Sequence, residues 1–117
     1  MKLERKPKIC DCPVETTIGI IGGKWKSVIL FYLLEREVMR FSEFRRAMPK
    51  VTQQMLSAQL RELEADDLIH REIYPQVPPK VEYTLTEFGM TLKPIILAML
   101  EWGNLFEDRM QRAETDN

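Results

Sequence analysis

Apolar residues recur with helical spacing through most of this chain and alternate with polar ones in one short stretch. Val14, Ile18 and Ile21 share one face of a segment opened by Cys12-Pro13 and closed by Gly22-Gly23. Proline suits the first helical position, where its missing N–H would have no partner, and glycine ends a helix at little steric cost. In residues 24 to about 34, Trp25, Val28, Ile29, Tyr32 and Leu33 follow the i, i+3, i+4, i+7, i+8 spacing of an amphipathic helix. Leu30, Phe31 and Leu34 make that helix apolar nearly all round, so it is expected at the centre of the core. Val38-Met39-Arg40-Phe41 reads as a short strand. Ser42 then caps a third helix through Met48, stopped by Pro49. Thr52 caps a fourth helix that carries Met55, Leu56, Leu60 and Leu63. Residues 68–74 and 81–85 read as the strands of a hairpin around Pro75-Gln76-Val77-Pro78-Pro79, a loop stiffened by its prolines. Thr86 caps a last helix reaching about Met110, and residues 111–117 are expected to fray.

The order helix, helix, short strand, helix, helix, hairpin, helix predicts a winged helix-turn-helix: mainly α with a small β-hairpin wing (α+β). With 117 residues the chain has room for one domain, residues 1–117. The first and last helices are expected to serve dimerisation, and residues 1–9 to be flexible.

The fourth helix carries the chemistry. With Leu56 set at zero on a helical wheel, Leu60 and Leu63 lie within about 40° of it and define a buried side. The opposite side holds Gln54, Ser57, Ala58, Arg61 and Ala65, with Gln53 nearer the flank. These residues are small or able to hydrogen-bond, as a helix in the major groove requires. Gln pairs with adenine and Arg with guanine, each such contact supplying about 1–3 kcal/mol of discrimination. Thr52 and the helix N-terminus offer a phosphate site. An ordinary solvent-facing helix also favours Gln, Ser and Arg, so the wheel alone leaves both readings open.

Charge distribution shifts the balance. The formal net charge is −1, yet Arg40, Arg45, Arg46, Lys50 and Arg61 face only Glu43 within residues 40–61, a local balance of +4. Arg45 and Arg46, on the helix before the reading helix, favour DNA. Lys24 and Lys26 are expected to add phosphate contacts from the second helix, and Lys80 and Arg71 from the wing. Hydrophobic residues at 44% and charged residues at 30% fit a globular protein. No apolar run is long enough for a membrane span, and no signal peptide is evident, so a cytoplasmic location is expected. An enzyme is disfavoured: no histidine accompanies a nucleophile and no glycine-rich phosphate loop is present. No cofactor is implied. Cys10, Cys12 and the single His70 are too few for a structural zinc site, and His70 is expected at the surface.

The last helix carries Leu92, Ile95, Ile96, Met99, Trp102, Phe106 and Met110 on one broad stripe, with Leu97, Leu100 and Leu105 among further apolar residues. One small core cannot cover two apolar sides. Leu97, Leu100 and Leu105, with Val14 and Ile18 of the first helix, are therefore expected to meet a second subunit. A two-fold dimer places two reading helices about one DNA turn apart, on a pseudo-palindrome. Cys12, at the N-cap of the first helix, lies where the helix dipole favours a thiolate, the reactive form. It is a candidate sensor of oxidants or electrophiles, with Cys10 a candidate resolving thiol. A small gap-filling Cys12 is the alternative.

Cys12-Pro13-Val14-Glu15, Ile21-Gly22-Gly23-Lys24-Trp25-Lys26, Arg40-Phe41-Ser42-Glu43-Phe44 and Met55-Leu56-Ser57 with Leu60-Arg61-Glu62-Leu63-Glu64 form one linked set of motifs. Residues 74–83, Thr84-Leu85-Thr86-Glu87-Phe88-Gly89 and Trp102 continue it. Over residues 12–102 the chain resembles the HxlR-type winged helix regulators of bacteria. The resemblance implies a dimeric transcription regulator related in architecture to MarR-type proteins; some resembling regulators respond through thiols. The chain departs from the family pattern at Asp66-Asp67, where Asp-Gly is usual, which implies a less relaxed turn, and at Cys10. The leading expectation is a sequence-specific regulator binding double-stranded DNA. The alternative is a winged-helix protein-interaction module without DNA binding. Neither the effector nor the operator is written in the sequence.

Overall fold

The computed structural model describes residues 12–115. Along them run α1 (Pro13–Ile21), α2 (Lys26–Arg36), α3 (Phe41–Ala47), α4 (Gln53–Ala65), β1 (Ile69–Tyr74), β2 (Lys80–Leu85), α5 (Glu87–Met90) and α6 (Lys93–Thr115). This is the expected mainly helical chain with one antiparallel hairpin. No single helix among the described residues is long and apolar enough to cross a membrane.

The helix ends have local causes. Cys12 is the N-cap of α1 and Pro13 its first residue. The Gly22 N–H closes α1 on the Ile18 carbonyl at 2.7 Å, and Gly23 then turns the chain at φ 84°, a region that favours glycine. The Ser27 hydroxyl donates to the Ile21 carbonyl at 2.8 Å, which ties the start of α2 to the end of α1. The Arg40 N–H donates to Glu43 Oε1 at 2.8 Å, so α3 starts earlier than a Ser42 cap allows. This corrects the expected strand at residues 38–41. With Arg40 committed as a helix cap, the segment keeps only a bridge in which Met39 and Tyr83 exchange N–H···O bonds of 3.1 and 2.8 Å.

A second correction concerns the end of the chain. Thr86 caps as expected, its Oγ1 accepting from the Gly89 N–H at 2.9 Å. The helix it starts stops at Met90, however, and α6 begins afresh at Lys93. Pro94 explains the break: it has no N–H to donate, and its ring would press on the carbonyl of Met90 if the helix ran through. From there α6 continues to Thr115 rather than Met110, since residues 105–115 contain strong helix formers and neither Gly nor Pro. Thus residues 111–115 are helical. Residues 1–11, 116 and 117 lie outside the described part.

The core gathers around α2, which packs on α4, β2 and α6. Ile29, Leu30 and Leu33 of α2 meet Leu56, Leu60 and Leu63 of α4, with Phe44, Met39, Ile69, Tyr83 and Ile96 closing the cluster. Phe44 meets Tyr83 edge-on, ring centroids 6.0 Å apart, the orientation that aromatic quadrupoles favour. Burying the α4 leucines fixes the rotation of that helix and turns its other side outward. The following turn places Asp67 at φ 61°, in the left-handed region. Aspartate is among the few non-glycine side chains that tolerate this conformation. Its carbonyl accepts the Thr86 hydroxyl at 2.6 Å, which anchors the turn to the base of the wing.

Candidate nucleic-acid interface

The outward side of α4 starts from Thr52, whose Oγ1 accepts from the Met55 N–H at 3.1 Å. That bond satisfies one of the free donors of the first turn and starts the helix cleanly. Leu56, Leu60 and Leu63 are buried. Gln53, Gln54, Ser57, Ala58 and Arg61 together line one open surface depression. Gln54, Ser57, Ala58 and Arg61 thus lie on the outward side that the wheel predicts, Gln53 joins them from the flank, and Ala65 is exposed at the end of the helix. Met55, about 100° from Leu56 on the wheel, is 41% exposed.

Arg45 and Arg46 are exposed on α3. The Arg45 guanidinium donates to Gln53 Oε1 at 3.5 Å, a weak link that joins the basic helix to the first turn of α4. Lys24 is exposed and sits over the Trp25 ring at 5.3 Å. Lys26 corrects the expectation of a phosphate contact. It is buried, with its side chain 11% exposed, and its Nζ lies 2.6 Å from Glu62 Oε1 of α4. The helical phase of α2 points it inward, and an acid from the neighbouring helix receives its charge.

In the hairpin, Arg71 likewise turns back to α4: its Nε donates to Glu64 Oε1 at 3.3 Å. Lys80 lies 4.7 Å over the Tyr74 ring and 3.7 Å from Glu82. The Glu82 carboxylate beside Tyr74, with lesser help from burial and from Glu72, pushes that phenol above its usual range. Burial pushes Tyr83 up as well, opposed by nearby Arg71. His70 is exposed, with Nε2 2.9 Å from Glu72 Oε1.

Away from α4, a large apolar surface is uncovered. Val14 and Ile18 of α1 are 62% and 60% exposed. Leu97, Leu100 and Leu105 of α6 are exposed too, and so are Ile95, Met99, Trp102, Phe106 and Met110. The broad α6 stripe was expected to face the core. Only Ile96 is buried there, with Leu92 partly so, because α6 projects past the body of the domain after its second turn. Trp102 and Phe106 stack on each other at 5.4 Å. Cys12 is exposed at the start of α1, while Cys10 lies outside the described residues.

Comparison with known proteins agrees with this geometry. The family model described as HxlR-like helix-turn-helix matches residues 20–111. The chain is 60% identical over 103 residues to YdeP of Bacillus subtilis (strain 168), described as an HTH-type transcriptional regulator; the match covers 88% of this chain and 80% of that protein. Among solved structures, the redox regulator HypR in its reduced form superposes with a TM-score of 0.81 at 55% identity, covering 86% of this chain and 99% of HypR. A MarR-family transcriptional regulator from Porphyromonas gingivalis W83 gives a TM-score of 0.73 at 36% identity, covering 85% and 96%. The buried leucines, polar outer face and wing thus occur in a chain that belongs to the HxlR-like helix-turn-helix family of transcriptional regulators.

Proposed function

We propose that the protein acts as a homodimer that binds a pseudo-palindromic operator, inserting one α4 into the major groove of each half-site. The observation that carries this reading is the open face of Gln53, Gln54, Ser57, Ala58 and Arg61 opposite three buried leucines. Gln53, Gln54 and Arg61 reach base edges, where bidentate pairing reads sequence, while Ser57 and Ala58 let the helix sit deep. Arg45, Arg46 and Lys24 meet phosphates and set register, Lys80 does so from the wing, and the free backbone donors at the Thr52 cap hold a further phosphate. A second copy covers Val14, Ile18, Leu97, Leu100 and Leu105. Burying such residues is the main driving force for association, and two-fold closure presents both reading helices to one side of the duplex.

Thiol chemistry at Cys12 modulates this binding. HypR, described as a redox regulator and solved in oxidised and reduced forms, supports the reading. The exposed position of Cys12, next to the apolar residues of α1, gives a route from sulfur oxidation to dimer geometry. Selection of bound duplexes from a random pool, with and without a mild oxidant, tests both parts. A recovered two-fold symmetric motif, lost on oxidation, is the expected result. No enriched motif refutes the DNA reading; release by oxidant that persists in Cys12→Ser refutes the thiol reading. Sedimentation of a monomer at micromolar concentration refutes the dimer.

A further inference from the structure

Two carboxylates, Glu62 and Glu64, are the only acids of α4. On the wheel Glu62 falls about 40° from Ala58, and Glu64 about 20° from Ser57. They therefore border the outward face on both sides, where negative charge would repel phosphates. Each is matched by a base from another element: Glu62 by Lys26 of α2 at 2.6 Å, and Glu64 by Arg71 of β1 at 3.3 Å. The Lys26 pair is asymmetric. The Glu62 side chain is 57% exposed, whereas that of Lys26 is only 11% exposed. The ammonium thus reaches a surface carboxylate from beneath and is itself withdrawn from any phosphate. Withdrawing the Lys26 ammonium from water is costly, so the pair is weak evidence for stability. A role in shaping the surface potential accounts for its placement better.

We propose that Lys26 is a positioning residue for DNA binding that acts through Glu62: it offsets the carboxylate at the edge of α4 and so weakens the repulsion of the DNA backbone beside Arg61. This rests on the reading of α4 as the groove-facing helix. Charge cancellation predicts a sign pattern that a merely structural pin does not. Lys26→Met keeps the aliphatic stem and removes the ammonium that offsets Glu62. The added repulsion in a high-dielectric setting is expected to weaken binding about threefold per half-site, hence about tenfold for a dimer, and the loss shrinks with added salt. Glu62→Gln removes the offending charge and is expected to bind at least as tightly as the unmodified protein. The double variant is expected to return within about threefold of it.

The test is a fluorescence-anisotropy titration of the full-length protein and these three variants against the pool-selected duplex, at low and high salt, with thermal melts run alongside. Weakened Lys26→Met with unweakened Glu62→Gln supports the proposal. Equal weakening of both single variants identifies a structural pin and overturns it, as does a folded Lys26→Met that binds like the unmodified protein. If Lys26→Met does not fold, Glu62→Gln and the double variant still decide: loss of affinity in Glu62→Gln, or more than about threefold loss in a folded double variant, overturns the proposal. An unmodified protein that binds no duplex at low salt overturns the DNA reading and this proposal together, whereas the preceding outcomes leave the DNA reading standing.

Discussion

Gly89→Ala is expected to be the most disruptive single-methyl change in the molecule. Gly89 is buried in α5, against the turn that links α4 to the wing. A Cβ added there would overlap the Leu68 carbonyl oxygen, lie 3.0 Å from the carbonyl carbon, and come 3.3 Å from Leu85 Cδ2. The obstacle is backbone, and that backbone is held on every side. The Leu68 carbonyl accepts from the Thr86 N–H at 3.1 Å, and the Leu68 N–H donates to the Leu63 carbonyl at 3.0 Å. The Thr86 hydroxyl spans from Asp67 to the Gly89 N–H. Relief requires α5 to lift off the hairpin. That loses one or two hydrogen bonds at about 0.5–1.5 kcal/mol each and adds overpacking of about 1–3 kcal/mol. The expected cost is roughly 2–4 kcal/mol, or about 10–25 °C in Tm for a domain of this size. Urea unfolding followed by circular dichroism measures it. Gly19→Ala serves as the control, because a Cβ there meets nothing within 4 Å. In a helix interior that change is expected to stabilise by about 0.5–1 kcal/mol. A Gly89→Ala variant that loses less than about 1 kcal/mol, or no more than Gly19→Ala, refutes the reasoning.

Two further outcomes follow from the interface. Arg61→Ala is expected to relax base preference at one operator position by about 1–3 kcal/mol, while Arg45→Ala weakens all sequences alike and flattens the salt dependence; binding-site selection at two salt concentrations separates them. Alkaline stability is expected to depend on Tyr83. Burial, the main cause, raises its folded-state pKa above the unfolded value near 10. The native state therefore keeps the proton longer than the unfolded chain. The contribution is whole below about pH 10 and is lost as pH rises through the folded value. Tyr83→Phe should flatten the fall in unfolding free energy above about pH 10, and an unchanged slope would show that other groups set it.

What the sequence disclosed was local. Thr52, Thr86 and Pro13 declare helix starts because capping and proline geometry act within one turn, and Leu56, Leu60 and Leu63 declare a buried side because 3.6-residue periodicity is a property of a single helix. Pro94 was equally local, yet the apolar period of residues 92–110 masked the break it imposes. The rest depends on which segments meet. That Lys26 and Arg71 are committed to Glu62 and Glu64 follows from the packing of α2 and β1 on α4, which no spacing encodes. Nor does periodicity say which apolar side a core will cover. Along α6, about 34 Å of helix, the core reaches only Ile96, with Leu92 just before the helix, and the side expected inward ends as exposed as the side expected outward. Trp102, Leu105 and Phe106 lie in the part of the helix that the rest of the domain does not reach. Apolar excess of this kind supports a partner helix as the missing cover, and the α1 residues Val14 and Ile18, left open in the same way, are what a second copy of this chain would bring.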